Sequence, residues 1–328
     1  MGCLININVM VEVLVFVGLI LLELFYFRIA NRFNIIDKPN QRSSHTEITL
    51  RGGGIIFYFG ALTFFCISGF QYPWFFIGLT LMTIVSFLDD LLSLSNRIRL
   101  TVQFSSVLLM AYELSIFSFP WYYLLFAFIF VVGVINAYNF MDGINGMTAC
   151  YSLIICILLM IANSKNHFID GRLLSYVMIS LIVFSIFNFR LKAKTFAGDV
   201  GSVSIAFILL FGIGSLIILT ENFIYILFLI VYGVDAIWTI IRRMYIGENI
   251  FEAHRSHLYQ YLGNEAGINK LLISFIYGLI QLGIGLLVIW IVNYSKLTQL
   301  VFSIVLILCI SIIYLILKSI IIKKYQIK

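Results

Sequence analysis

Long apolar runs alternate with short polar clusters along the whole chain. Each run is close to the ~20 residues that a helix needs to cross a hydrocarbon core. They lie near 10–29, 52–69, 72–88, 101–118, 121–137, 146–163, 172–189, 202–219, 222–241, 271–292 and 298–317. The pattern predicts an all-α, polytopic integral membrane protein with about eleven transmembrane helices. The runs that start at 72 and 121 are the shortest. An odd number of crossings puts the two termini on opposite sides.

Composition narrows the class further. Apolar residues make up 62% of the 328, charged residues 11%, and the mean hydropathy is +1.06. A water-soluble fold needs more polar surface than this, so soluble classes are excluded. The chain reads as a single integral membrane domain, 1–328, with no repeat of fixed period, and its longest loop, about 242–269, is too short to fold alone. The first run lacks a basic leader and a small-residue cleavage site, and it contains Glu12 and Glu23, which predicts an uncleaved helix with no soluble domain before it. Cys3, Cys66, Cys150, Cys156 and Cys309 are scattered in or beside apolar runs with no pair at metal-binding spacing, so reduced, buried thiols are expected.

Basic residues orient the chain. Of the 21 Lys and Arg, all but Lys165, Arg172 and Lys296 fall at the ends of runs one, three, seven, nine and eleven or in the segments that follow them. Cytoplasmic loops carry this excess, which predicts an outside N-terminus and a cytoplasmic C-terminus. The net charge of +6 reflects the same bias toward an anionic leaflet, and no nucleic-acid partner is expected. The polar clusters share the basic face, in loops near 37–54, 89–100, 136–146, 190–202 and 242–270.

Each cluster has a plain reading and a chemical one. Asp89 and Asp90 could be a solvated helix end, but like charges this close repel unless a cation, a proton or Arg97 and Arg99 offset them. A phosphate site would use that arrangement, with one carboxylate accepting a proton or holding Mg²⁺ while the arginines hold the anion. The segment Asn136-Ala137-Tyr138-Asn139-Phe140-Met141-Asp142-Gly143-Ile144-Asn145-Gly146 is richer in carboxamides than a capping turn needs. Phe196-Ala197-Gly198-Asp199-Val200-Gly201-Ser202 opens a run, so its helix N-terminus offers unpaired N–H groups to an anion, and Asp199 is either a cap or a metal ligand there. Phe196 either stacks on a base or anchors at the interface. In His254-Arg255-Ser256-His257 a helical conformation would put both histidines on one face, with Arg255 beside them, as a diphosphate clamp; zinc or an idle loop are the competing readings. Asp235 lies inside a run and is expected to pair with a basic group or border the cavity.

Taken in order, Asp89-Asp90, NAYNFMDGINGM from Asn136, FAGDVGS from Phe196 and HRSHLYQ from His254 resemble the polyprenyl-phosphate N-acetylhexosamine-1-phosphate transferases, and DKPNQRSSHTEITLRGGG from Asp37 is similar to that family's first cytoplasmic loop. The resemblance runs from the first span through Gln260. It implies a Mg²⁺-dependent enzyme, Mn²⁺ serving in its place, that moves a sugar 1-phosphate from a UDP-N-acetylhexosamine to undecaprenyl phosphate and releases UMP. The bilayer in question is a bacterial plasma membrane and the site faces the cytoplasm; a homodimer is compatible with this. Carried over by residue, Asp89 and Asp90 orient or deprotonate the lipid phosphate, and Asp199 binds the metal. Asn139 and Asp142 line the nucleotide and metal pocket, Phe196 stacks on uracil, and His254, Arg255 and His257 contact the diphosphate. Arg51, Arg97, Arg99 and Asn145 complete the expected substrate contacts. Asn145 stands where many members carry a second aspartate in a DGxDG turn. The loop from His254 to Gln260 lacks the run of three histidines of the muramyl-pentapeptide branch, and so resembles the branch that starts O-antigen, enterobacterial common antigen or capsule chains.

Two other classes compete. An ion-coupled transporter would place charges near the bilayer midplane and reach both faces, whereas the loops at Gln71, Ser118, Glu221–Asn222 and Asn293–Lys296 are short and poor in ligands. A lipid-phosphate phosphatase would keep the metal and need no nucleotide pocket.

Overall fold

The computed structural model describes residues 2–39, 44, 47–249, 252 and 254–327, with side chains from residue 9 onward. Arg42, Phe251, Lys328 and most of the stretch 40–46 lie outside the described residues, as does the Cys3 side chain.

Eleven helical segments occupy the places of the eleven apolar runs. They are α1 (Gly2–Arg32), α2 (Ile56–Ile67), α3 (Pro73–Leu92), α4 (Asn96–Glu113), α5 (Trp121–Met141), α6 (Met147–Asn166), α7 (Gly171–Asn188), α8 (Gly198–Thr220), α9 (Ile230–Tyr245), α11 (Lys270–Ile291) and α12 (Lys296–Tyr325). A three-residue turn, α10 (Leu258–Gln260), lies between α9 and α11. Nine helices among the described residues are long and apolar enough to cross a membrane, fewer than the eleven expected. The two shortest runs are not the ones that fail, because they extend into α3 and α5, of 20 and 21 residues. The shortfall is in α2, which has 12 residues because Gly52–Ile55 is spent on a tight turn, and in α4, which carries Arg97, Arg99 and Glu113. The chain is a multi-pass membrane protein.

Helix α8 is the centre of the packing. It is buried along almost its whole length and touches α2, α3, α5 and α6. Helix α6 packs on α7 and α11, and α2 packs on α7. By contrast α1, α5 and α12 turn large apolar side chains outward, as lipid-facing helices do. The thiols of Cys66, Cys150, Cys156 and Cys309 are free, but only Cys156 is buried; Cys66 and Cys309 lie on outward faces, where an apolar environment is lipid and not core.

One short sheet matters for the site. Strands β1 (Ile36–Asp37) and β2 (Thr49–Leu50) pair antiparallel, and Leu50 also bridges to Thr195. Phe196 N then donates to Leu50 O at 2.8 Å, Gly53 N to Phe196 O at 3.0 Å and Gly54 N to Ala197 O at 3.2 Å, zipping the first polar loop onto the start of α8. Glycine is required where they meet: a Cβ on Gly54 would lie 2.4 Å from the Gly201 Cα, and one on Gly201 would lie 2.6 Å from the Gly54 Cα. This contact places Arg51 over the first turn of α8.

Candidate active site

The zipped loop and the end of α3 converge on the N-terminus of α8. Asp90 is fully buried there: Oδ1 accepts the Asp199 N–H and Oδ2 the Val200 N–H, both at 3.0 Å, and Arg51 Nε approaches Oδ1 at 2.6 Å. Gly198 has φ +71°, and a Cβ on it would sit 2.6 Å from Asp90 Oδ2, so only glycine lets the carboxylate reach these amides. Asp90 thus caps α8 from another helix. Arg51 also reaches Asp199, Nη2 to Oδ1 at 3.5 Å. Burial opposes the Arg51 charge, but Asp90, Asp199 and Asp37 outweigh it and hold its pKa above the ordinary arginine value.

Asp89 points differently. Its Oδ1 accepts the Leu94 N–H at 2.6 Å and its Oδ2 accepts from Arg99 Nη1 at 3.1 Å. With Arg99 it lines a cavity of about 320 Å³ whose walls include Met82, Val85, Leu100 and Val203. Arg97, expected beside Arg99 as an anion ligand, is exposed and lines none of the cavities around the aspartates.

A second, more polar cavity of about 310 Å³ lies on the other side of α8's first turn. Its lining includes Arg51, Asp142, Asn145, Asn188, Phe196 and Gln260. Asn139 and Asp199 line both cavities, so the two spaces meet at these side chains. Ser202 Oγ donates to Asn139 Oδ1 at 3.3 Å, tying α5 to α8 at the junction.

Asp142 is not a cap for α6, whose N-cap is Gly146; instead its Oδ1 accepts from Thr148 Oγ1 at 2.6 Å. Burial, with Asp199 and Asp90 nearby, pushes its pKa up to about 7 despite that hydrogen bond. Asn145 Nδ2 reaches the backbone carbonyls of Arg190 and Leu191, at 2.7 and 3.2 Å, and holds the α7–α8 loop against the cavity. Asn188 was not singled out in the sequence, yet it accepts from Gly146 N at 2.7 Å and donates to Thr195 O at 2.8 Å, joining the two glycine-containing segments. Its only signal was a carboxamide ending an apolar run. Asp37 and Gln260, parts of polar clusters with no role assigned, also line the cavity.

The two histidines meet without sharing a helix. His254 to Ser256 are irregular and His257 is extended, yet His254 Nε2 lies 3.1 Å from His257 Nε2. Neither lines the Arg51 cavity; His257 is buried against Asp235, and His254 and Arg255 border a separate cavity of about 510 Å³ with Arg242 and Arg243. Arg255 pairs with Glu265 at 2.5 Å. Burial, with His257 and Arg243 alongside, pulls the His254 pKa down to about 4. Among the described residues no group of three or more His, Cys, Asp or Glu could hold a metal alone, which disfavours zinc. Asp199, Asp142 and Asn139 offer two carboxylates and a carboxamide on one cavity wall, a hard oxygen set that suits Mg²⁺ when substrate phosphates and water complete the shell.

Known sequences resemble the chain over this region. The profile of glycosyl transferase family 4 matches residues 72–221, the stretch that carries Asp89, Asp90, Asn139, Asp142, Phe196 and Asp199. Over these residues, a little under half of its length, the chain is similar to glycosyl transferase family 4. Among relatives, the protein named "Probable undecaprenyl-phosphate N-acetylglucosaminyl 1-phosphate transferase" of Bacillus subtilis (strain 168) is 27% identical over 256 residues, 72% of this chain and 71% of its own. An undecaprenyl-phosphate alpha-N-acetylglucosaminyl 1-phosphate transferase of Yersinia pestis is 30% identical over 200 residues, 55% of either chain, so the match spans about half of that relative. A phospho-N-acetylmuramoyl-pentapeptide-transferase of Streptococcus uberis is 34% identical over 145 residues, only 37% of this chain and 42% of its own. The profile match stops before the histidine loop.

Proposed function

We propose that this protein transfers an N-acetylhexosamine 1-phosphate from a UDP-sugar to undecaprenyl phosphate, releasing UMP at the cytoplasmic face of a bacterial plasma membrane. The observation that carries it is the junction at Asn139 and Asp199, where a cavity walled by apolar side chains and holding Asp89 and Arg99 meets a polar one holding Arg51, Phe196 and carboxamides. The first suits a phosphate on an isoprenoid tail; the second suits a nucleoside diphosphate, with Phe196 available to stack on the base.

In the transfer, an oxygen of the lipid phosphate forms a bond to the sugar-linked phosphorus. The bond from that phosphorus to the bridging oxygen breaks, and UMP leaves with the oxygen. The barrier is mainly repulsion between anions and their positioning. Arg99, turned by Asp89, places a positive charge in the acceptor cavity, and Arg51, turned by Asp90, does so in the donor cavity. Asp89 is the carboxylate placed to take a proton from the lipid phosphate, because it lines the acceptor cavity, whereas Asp90 lines neither cavity and is committed to the N-terminus of α8 and Arg51. Mg²⁺, held by Asp199, Asp142 and Asn139, would neutralise charge on the bridging phosphates. The relatives of Bacillus subtilis and Yersinia pestis are named as N-acetylglucosaminyl 1-phosphate transferases, and each match covers more of this chain than that of the muramoyl-pentapeptide enzyme, which favours N-acetylglucosamine as the sugar.

Incubating the purified protein with UDP-GlcNAc, undecaprenyl phosphate and Mg²⁺ tests this. UMP is expected only when both substrates are present. Inorganic phosphate released from the lipid without UMP would instead favour the phosphatase reading.

A further inference from the structure

Asp235 of α9 is a buried carboxylate within a membrane span that the transfer does not use. It is buried, and every oxygen is taken. Oδ1 accepts from His257 Nδ1 at 3.2 Å, from the Leu258 N–H at 3.1 Å and from Tyr314 Oη at 3.1 Å, while Oδ2 accepts from Tyr277 Oη at 2.9 Å. A cation is close by, but Lys318 Nζ spends its hydrogen bonds on Tyr314 Oη at 2.6 Å and Thr239 Oγ1 at 2.8 Å. If Asp235 served only to balance Lys318, the two would touch. Instead the carboxylate is shared between the histidine loop and the hydroxyls of Thr239, Tyr277 and Tyr314.

The hydrogen bonds beyond it run in one direction. Arg243 can only donate, so His254 Nδ1, 2.7 Å from its Nη1, accepts. The His254 proton therefore sits on Nε2 and is donated to His257 Nε2, which leaves the His257 proton on Nδ1, facing Asp235. The two rings thus link Arg243 at one end to Asp235 at the other.

What the loop does next reaches the donor cavity. Tyr259 Oη donates to Phe140 O at 2.8 Å, and a Cβ on Gly143 would lie 2.2 Å from that oxygen, so the ring is seated on the turn that carries Asp142. Gln260 lines the cavity, with Oε1 turned back to accept the His257 N–H at 3.2 Å. We propose that Asp235 is a positioning residue for the sugar-nucleotide donor: by holding His257 and the Leu258 amide it docks residues 257–260, so that Tyr259 braces the turn at Gly143 and Gln260 completes the wall of the polar cavity. The inference rests on the donor reading of that cavity given above.

Steady-state kinetics on the full chain test it, varying UDP-GlcNAc at saturating undecaprenyl phosphate and Mg²⁺ and then the reverse. Asp235→Ala raises the donor KM about tenfold, with kcat and the lipid KM within about threefold. Asp235→Asn keeps an oxygen for the loop, so it folds and raises the donor KM less. At position 257 the side-chain amide of Asn mimics Nδ1 and that of Gln mimics Nε2, so His257→Asn retains donor KM and His257→Gln loses it. Hydrogen exchange of amides 257–262 quickens in Asp235→Ala. The inference is overturned by an unchanged donor KM with collapsed kcat, by unchanged exchange, or by Gln rescuing better than Asn. A wild type that makes no UMP defeats the donor reading itself; an active wild type whose Asp235→Ala keeps its donor KM defeats only this inference.

Discussion

Asp90 accepts the backbone N–H of Asp199 at 3.0 Å, so the carboxylate that ends one membrane helix caps the helix that begins with another. The adjacent acids Asp89 and Asp90 are thereby divided in role. Asp90 builds the N-terminus that presents Asp199, and Asp89 turns with Arg99 into the apolar cavity.

That division predicts different phenotypes for the two ends of the pair. Asp90→Ala leaves two buried amides and Arg51 without their acceptor and is expected to destabilise by about 2 kcal/mol or more, with loss of activity. Asp199→Asn keeps its amide and the fold; its melting temperature stays near the wild type while UMP formation falls by about 100-fold or more. Melting in detergent together with the UMP assay separates the two.

Arg99 lines the apolar cavity and Arg97 does not. Arg99→Ala is expected to raise the KM for undecaprenyl phosphate about tenfold and barely move that for the UDP-sugar, while Arg97→Ala changes either by less than about twofold. Equal effects from both would mean that the lipid phosphate does not enter beside Asp89.

At the crossing of Gly54 and Gly201 each added methyl would meet backbone, which cannot rotate away. Gly201→Ala should cost about 1–3 kcal/mol and move Arg51 off Asp90. A lowered melting temperature with activity falling in step is the expected result; a wild-type melting curve would show that the first loop is not clamped here.

His254 titrates near 4 in the folded protein and near 6.5 when released, so between these values the unfolded loop binds more protons than the folded one. Stability is therefore full above about pH 6.5 and lost as pH falls toward 4. Melting measured across that window should drop more steeply for the wild type than for His254→Asn, which has no ring to protonate.

The spans were legible because burial in lipid is a local property: a run of apolar residues predicts a helix wherever its neighbours lie. Even there, α2 and α4 departed from the pattern. The glycines that look like part of span two are drawn into the contact with Gly201, and the polar start of α4 carries Arg99 to Asp89. The candidate site was legible in kind, since Asp89, Asn139, Asp142, Phe196 and Asp199 do line the two cavities. Asn188 was not, because one carboxamide at a helix end carries no pattern.

Chain order and residue type thus determined a helical membrane protein with its acids, amides and arginines in loops between spans. Tertiary packing decided which of two neighbouring aspartates is structural, which of two nearby arginines lines a cavity, and that His257 faces Asp235 while neither histidine lines the donor cavity. The physical reason is one of range. Apolar burial sums along a segment, whereas a hydrogen bond depends on a few tenths of an ångström between atoms that helices α3, α5 and α8 bring together from 63 and 109 residues apart.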